Sequence, residues 1–290
     1  MSRAITISKG VVHMMMATFF FALMNVCIKQ VSHIPPMEVV FFRCFIALAI
    51  AGVSMRIKKI DWIGSERKLL LLRGVSGTLA VYTFFITLQR MPLATAVTIQ
   101  YLSPIFTTII AGLILGEYIP KIQYLFFAVS FAGIIVLKGF DTSITMPLFL
   151  IGLTSALCSG AAYNFVRTLK GKENPLVVVF HFQLIGAITG LCFMLFNYHV
   201  PTLMDSVYLL LVGIFTYLGQ LYLTKALQGE AVGVVSSINY LGVVYAFIFG
   251  ILIFNEHYTV FNYLGVALIL TGVLLSIFLG KKQTIKDATA

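Results

Sequence analysis

Gln100, Tyr101, Ser103 and Pro104 bring an amide, a phenol, a hydroxyl and a residue without a backbone N–H into one short run of an otherwise apolar stretch. In a helix, Pro104 would leave the carbonyl of Gln100 without its partner and bend the chain. Within hydrocarbon a freed carbonyl must be met by protein or cavity water, so the group reads as a polar bend on a solute path, with a packing kink as the alternative. Asn239 and Tyr240 repeat the Gln100–Tyr101 pair later in the chain. Ser155, Ser159 and Tyr163 recur every four residues and share one helical face. Tyr217, Gln220 and Thr224 have similar spacing, and Tyr82 with Thr78 one turn earlier is placed to face the same space. The chemistry these groups offer is hydrogen bonding to a passing polar molecule, although hydroxyls also join helices to one another.

Charged groups are rarer and say more. Arg43 falls seven residues into an apolar stretch, roughly 10 Å deep at 1.5 Å per residue. A cation at that depth marks a pathway or a partner, whereas snorkelling toward the headgroups is the simpler expectation. Snorkelling is expected of Arg73 too, which lies nearer an edge. Glu117 and Glu256 end two stretches, where a carboxylate reads as a cap or gate salt bridge, favoured just before the next helix. Asn25 and Asn164 occupy equivalent places and read as gates or symmetric helix locks. The four cysteines stand singly, without CxxC spacing, and the five histidines are scattered without HExxH. No paired carboxylates or nucleophile motif accompany them. No enzymatic activity, metal or cofactor is therefore expected.

The elements that position these residues follow from composition. Charged residues make up only 10% of the 290 positions and hydrophobic ones 60%, against about a quarter charged in soluble domains. Stretches of about 20 apolar residues, enough to span a bilayer, lie near 10–29, 37–56, 69–89, 93–115, 121–138, 147–167, 176–196, 206–227, 231–253 and 259–279. The short connections leave no room for a soluble catalytic or nucleic-acid-binding domain. The net charge of +10 follows from topology. With the N-terminus inside, cytoplasmic segments hold fifteen basic residues and outer ones only Lys29, Arg90 and Lys138, while Arg43 and Arg73 lie within spans, accounting for all 20. That bias is a strong positive-inside signal. It places both termini in the cytoplasm and requires no nucleic-acid partner.

The chain also repeats itself. Of residues 10 to 139, 27 of 130 are identical to the residue 139 positions later, without a gap; Asn25 recurs as Asn164, Pro36 as Pro175, Tyr101 as Tyr240 and Glu117 as Glu256. The first stretch aligns with the sixth through Ala17, Ala22 and Asn25, which argues against a cleaved signal peptide. Five spans per copy make the second copy enter from the opposite side, so the repeat is inverted, an arrangement that suits alternating access.

The run from Leu88 to Ala96, Pro104 in the next span and Leu115-Gly116-Glu117 at its end resemble the EamA-type repeat of the drug/metabolite transporter superfamily. The resemblance covers essentially the whole chain. The second copy keeps Glu256 but has Val243 in place of Pro104 and Glu230-Ala231-Val232 in place of Met91-Pro92-Leu93. It implies a ten-helix carrier with a central cavity lined by spans 1, 3, 4, 6, 8 and 9.

The expectation is thus an all-α membrane protein, with ten transmembrane helices as two inverted five-helix repeats, residues 1–141 and 142–290. It is expected to move a small organic metabolite across the plasma membrane, as an exporter or exchanger, in a bacterial inner membrane. The expected partners are that metabolite and the lipid bilayer, in a monomer or weak homodimer. No Asp or Glu falls near the middle of a span, which favours facilitated export, exchange or coupling through the substrate over a proton-coupled carrier. A membrane-embedded enzyme and a non-transporting scaffold or sensor are the alternatives.

Overall fold

The computed structural model describes residues 9–115, 121–140, 145–196, 198–229 and 238–288, and among these the chain is helix and connection without strands. Its first half forms α1 (Lys9–Gln30), α2 (Pro36–Ile57), α3 (Arg67–Arg90), α4 (Leu93–Gln100), α5 (Ser103–Leu115) and α6 (Lys121–Phe140). The second forms α7 (Met146–Thr168), α8 (Pro175–Met194), α9 (Leu203–Gly229), α10 (Leu241–Phe254) and α11 (Val260–Ala288). Seven segments of the described residues are long and apolar enough to cross a membrane: α1, α2, α3, α4–α5 from Leu93 to Leu113, α7, α8 and α9. Helix is the expected state of such sequences, because in hydrocarbon each backbone group must be satisfied within its own segment.

Local signals set the boundaries. Pro36 and Pro175 open α2 and α8 at the one place where a missing N–H costs nothing. Asn174 caps α8 by accepting from the Leu176 N–H at 3.0 Å. At the start of α9, Thr202 and Asp205 exchange reciprocal bonds, the Thr202 N–H donating to Asp205 at 2.9 Å and the Asp205 N–H to Thr202 Oγ1 at 3.2 Å. Thr259 and Asn262 build the same box before α11. Asn255 ends α10 in the left-handed conformation, φ 51°, which Asn tolerates. The interruption anticipated at Pro104 falls at Tyr101–Leu102, between α4 and α5, with Pro104 in the first turn of α5.

Helices of the two halves pack across one another. α1 lies against α9 and α3 against α7, α2 pairs with α8, and α4 with α10. α6 has one extensive neighbour among the described residues, α11. Glycines permit the closest approaches. A Cβ on Gly74 would overlap Ile185, and one on Gly213 would overlap Ile46. A Cβ on Gly133 would meet the Gly265 carbonyl and Ile269 N–H at 2.7 Å, and one on Gly272 the Phe126 carbonyl at 2.6 Å. Small residues at such crossings let membrane helices gain packing where no hydrophobic force drives them together.

Candidate functional site

Helices α1, α2, α3, α4, α7, α8 and α9 line a cavity of about 110 Å³, several times the ~10–15 Å³ that one water needs. Its walls are largely aromatic and aliphatic, with Phe21, Phe84 and Phe85 on one part. Polar groups converge from both halves: Asn25, Gln100 and Tyr101 from the first, Ser159, Tyr163, Gln220 and Asn239 from the second.

Gln100 is held on both sides. Its Oε1 lies 2.6 Å from the Ser155 hydroxyl, and its Nε2 donates to Ser159 at 2.6 Å. Ser155 also stands 2.7 Å from the Ala80 carbonyl, so this amide ties α4 to α7 and, through Ser155, to α3. Tyr101 sits at the helix break with its ring 5.4 Å from that of Tyr240. Gly242 makes room for the Tyr101 hydroxyl, which a Cβ there would overlap. Asn25 reaches the cavity with its Oδ1 lacking a hydrogen-bond partner.

Two cations complete the lining, and their placement overturns the snorkelling expectation. Arg43 is 1% exposed and Arg73 4%. Both guanidiniums lie over the Phe182 ring, at 5.3 Å and 4.1 Å from its centroid, and Arg43 is also 5.8 Å from Phe85. Helical side chains ordinarily lean toward the helix N-terminus. Arg73 instead extends the other way, over Gly77 one turn later, where a Cβ would overlap its Nη1. Its Nη2 donates to Gln220 Oε1 at 3.3 Å, and Arg43 reaches only Cys44 Sγ at 3.4 Å. The Nε of each lacks an acceptor, and no carboxylate lines the cavity among the described residues. Cation–π contacts offset about 2 kcal/mol when desolvated, less than the several kcal/mol that burying each ion costs.

The remaining sequence candidates lie elsewhere. Tyr82 turns away from the cavity and packs beside Phe193, ring centroids 6.2 Å apart. Tyr217 bonds the Ser54 hydroxyl at 2.8 Å and does not line the cavity. Ser103 is buried at the start of α5, where its carbonyl accepts from Thr107 at 2.8 Å. Tyr240 stands behind Tyr101, buried, with its hydroxyl unpaired. Asn164 donates to the Thr107 carbonyl of α5 at 2.9 Å and to Gly160 of its own helix at 3.1 Å, a helix lock. Its repeat mate Asn25 faces the cavity, so the two do not share one role. Pro104 serves the helix break. Glu117 lies outside the described residues.

Glu256 does not cap the helix that follows it, which the Thr259–Asn262 box already does. Its carboxylate crosses to α4, accepting from the Leu93 N–H at 3.0 and 2.9 Å, and pairs with Lys29 at the end of α1. An anion at a helix N-terminus is favoured by the exposed N–H groups and the dipole. Lys29 also donates to the Met91 carbonyl at 2.7 Å. Tyr258 donates to Glu256, and burial followed by that carboxylate pushes its phenol above the usual range, so it stays a donor. α1, α4 and α10 are thus pinned at one end.

Sequence reasoning missed Phe182 as the platform for both cations. One signal was available: it is the residue 139 positions after Arg43.

Comparison with known proteins accords with these features. The EamA-like transporter family matches residues 8–138 and again 146–278. A relative named pseudopaline exporter CntI, from Pseudomonas aeruginosa strain UCBPP-PA14, is 30% identical over 86% of this chain and 89% of its own length. Solute carrier family 35 member G1 of Homo sapiens is 27% identical over 85% of this chain and 73% of its own. An uncharacterized transporter of Helicobacter pylori strain 26695 is 27% identical over 93% and 95%. A solved crystal structure superposes with a TM-score of 0.70 at 15% identity, covering 95% of this chain and 98% of that one, and so shares the fold. This integral, multi-pass helical membrane protein belongs to the EamA-like transporter family.

Proposed function

We propose that the protein is a secondary transporter that carries a small organic metabolite through this cavity by alternating access between two inverted five-helix repeats, ten spans in all. The observation that carries the reading is the register of the contacts. Adding 139 turns the pair α1–α9 into α7–α3, and the Gly74–Ile185 approach into Gly213–Ile46. Residues related by a twofold axis can touch one another only beside that axis. Three such pairs do, Arg43 with Phe182, Tyr101 with Tyr240 and, between α6 and α11, Ser130 with Ile269 at 3.3 Å, and the cavity is lined by three of the first four residues. The cavity therefore sits on the pseudo-axis, which in an inverted repeat runs in the membrane plane. That is where such carriers hold their substrate.

The basic residues favour cytoplasmic termini, and short connections fit a bacterial inner membrane. The relative named as an exporter supports outward movement or exchange. The Lys29–Glu256 contact then closes the outer end of α1, α4 and α10. The test is untargeted metabolite profiling of medium and cytoplasm, comparing cells with the intact protein and cells with a Tyr101→Ala, Tyr240→Ala double variant present at equal membrane levels. A metabolite should leave the cytoplasm only with the intact protein. Equal profiles under several nutrient conditions would overturn the cavity assignment.

A further inference from the structure

We infer that the transported metabolite is an organic anion whose carboxylate or phosphate oxygens are received by Arg43 and Arg73 over Phe182, on the pseudo-axis. The inference rests on the transport reading above and narrows its substrate class. Both guanidiniums are almost completely buried, yet neither meets a carboxylate among the described residues. Each keeps an Nε without an acceptor. Two like charges share one ring while the protein supplies a single side-chain oxygen, from Gln220. A guanidinium presents a planar fork of donors that matches carboxylate and phosphate oxygens, and both arginines line the cavity.

The half-buried Lys29 is not left this way. Lys29 meets Glu256, a backbone carbonyl and the Phe254 ring. The protein thus supplies a carboxylate to Lys29 and, among the described residues, none to the two cavity arginines. Their asymmetry carries a second point. The mates of Arg43 and Arg73 are Phe182 and Val212, so the first half brings both charges and the second the ring and the amide. Because Arg43 touches its own mate, it lies beside the axis and stays near the substrate whichever half has moved. One cationic seat then serves both conformations. The aromatic remainder of the lining suits the apolar body of a small acid.

The test is counterflow in proteoliposomes of the full chain with four groups of labelled probes: carboxylates (succinate, glutamate, citrate), phosphate monoesters (phosphoenolpyruvate, glucose 6-phosphate), neutral solutes (uracil, glucose) and a cation (putrescine). At least one anionic probe should exchange, and the first two groups decide between carboxylate and phosphate. Arg43→Gln and Arg73→Gln should each lower that exchange by about tenfold or more, with Arg73→Lys, which keeps charge but not the fork, falling between. Because those variants can fail to fold, the wild-type protein supplies an independent reading. The exchanging anion should raise its thermal unfolding temperature above that in sodium chloride of equal ionic strength. Exchange of uracil, glucose or putrescine without any anion would overturn the inference and leave the transporter standing. Exchange of no probe, with no shift in unfolding temperature, would overturn both.

Discussion

The half-buried Lys29 and the two cavity arginines hold positive charge in different ways. At the end of α1, Lys29 is enclosed by a carboxylate, a carbonyl and an aromatic face, and the carboxylate is itself engaged by the first N–H of α4 and by Tyr258. In the cavity, Arg43 and Arg73 share Phe182, and one amide oxygen, that of Gln220, meets Arg73 alone. The first site is complete within the protein and holds helices together. The second has donors to spare, which is what a site for a passing ligand requires. The contrast separates a charge that the protein satisfies from charges that it leaves open.

The contrast can be broken at either end. The largest effect is expected from Glu256→Gln, which leaves Lys29 partly buried without its anion and should cost about 3 kcal/mol, read as a lowered thermal midpoint of the purified protein. Exchanging the charges, Lys29→Glu with Glu256→Lys, should not restore it, because a cation would then face the N-terminus of α4. Full rescue would mean that the pair acts through its charge product alone. Next comes Gly77→Ala, whose Cβ would occupy the space of the Arg73 guanidinium. Flux per folded protein should fall about tenfold, ~1.4 kcal/mol of barrier, in the transport assay; unaltered flux would detach the Arg73 pose from function. Asn164→Ala removes the lock on α5 and should lower stability by about 1 kcal/mol, while Asn25→Ala should reduce flux at nearly unchanged stability. Matching behaviour of the two variants would show that the mates kept a common role. The smallest change belongs to Lys172→Ala. It removes a half-exposed pair with Glu66 at 3.7 Å, and chemical or thermal unfolding should move by no more than about 0.5 kcal/mol.

Much of this was legible in the chain because the signals are local or additive. Apolar runs mark helices, the missing N–H of Pro104 marks the break, and the gap-free register of identities marks the duplication. Gln100, Tyr101, Tyr163, Gln220, Asn239 and Asn25 all come to the cavity, since polar residues on one face of a membrane helix seek a common interior. What the sequence obscured depends on which faces meet. Arg73 lies close enough to an end to snorkel, and only its fit over Gly77 beside Phe182 draws it inward. Tyr82 belongs to a helix whose neighbouring positions, Val81 and Phe84, do face the cavity, so a 100° turn decided against it. Glu256 offered a cap to the nearest helix by sequence, but a nearer box had filled that place, and the carboxylate went across to α4.

The α6–α11 contact has a consequence for how the chain is made. The face of α6 that carries Ser130 and Gly133 fits α11 so closely that backbone touches backbone, and α6 has no other extensive neighbour among the described residues. Its partner begins at Val260, well over a hundred residues after α6 ends at Phe140. At roughly 5–20 residues per second, a nascent α6 waits on the order of ten seconds for that partner. During this interval its small-residue face is open to lipid or to a helix of another protein. The helix α11 is therefore the one that ends this vulnerability, and a chain truncated before Val260 should be cleared by membrane quality control although every cavity residue has already been synthesised.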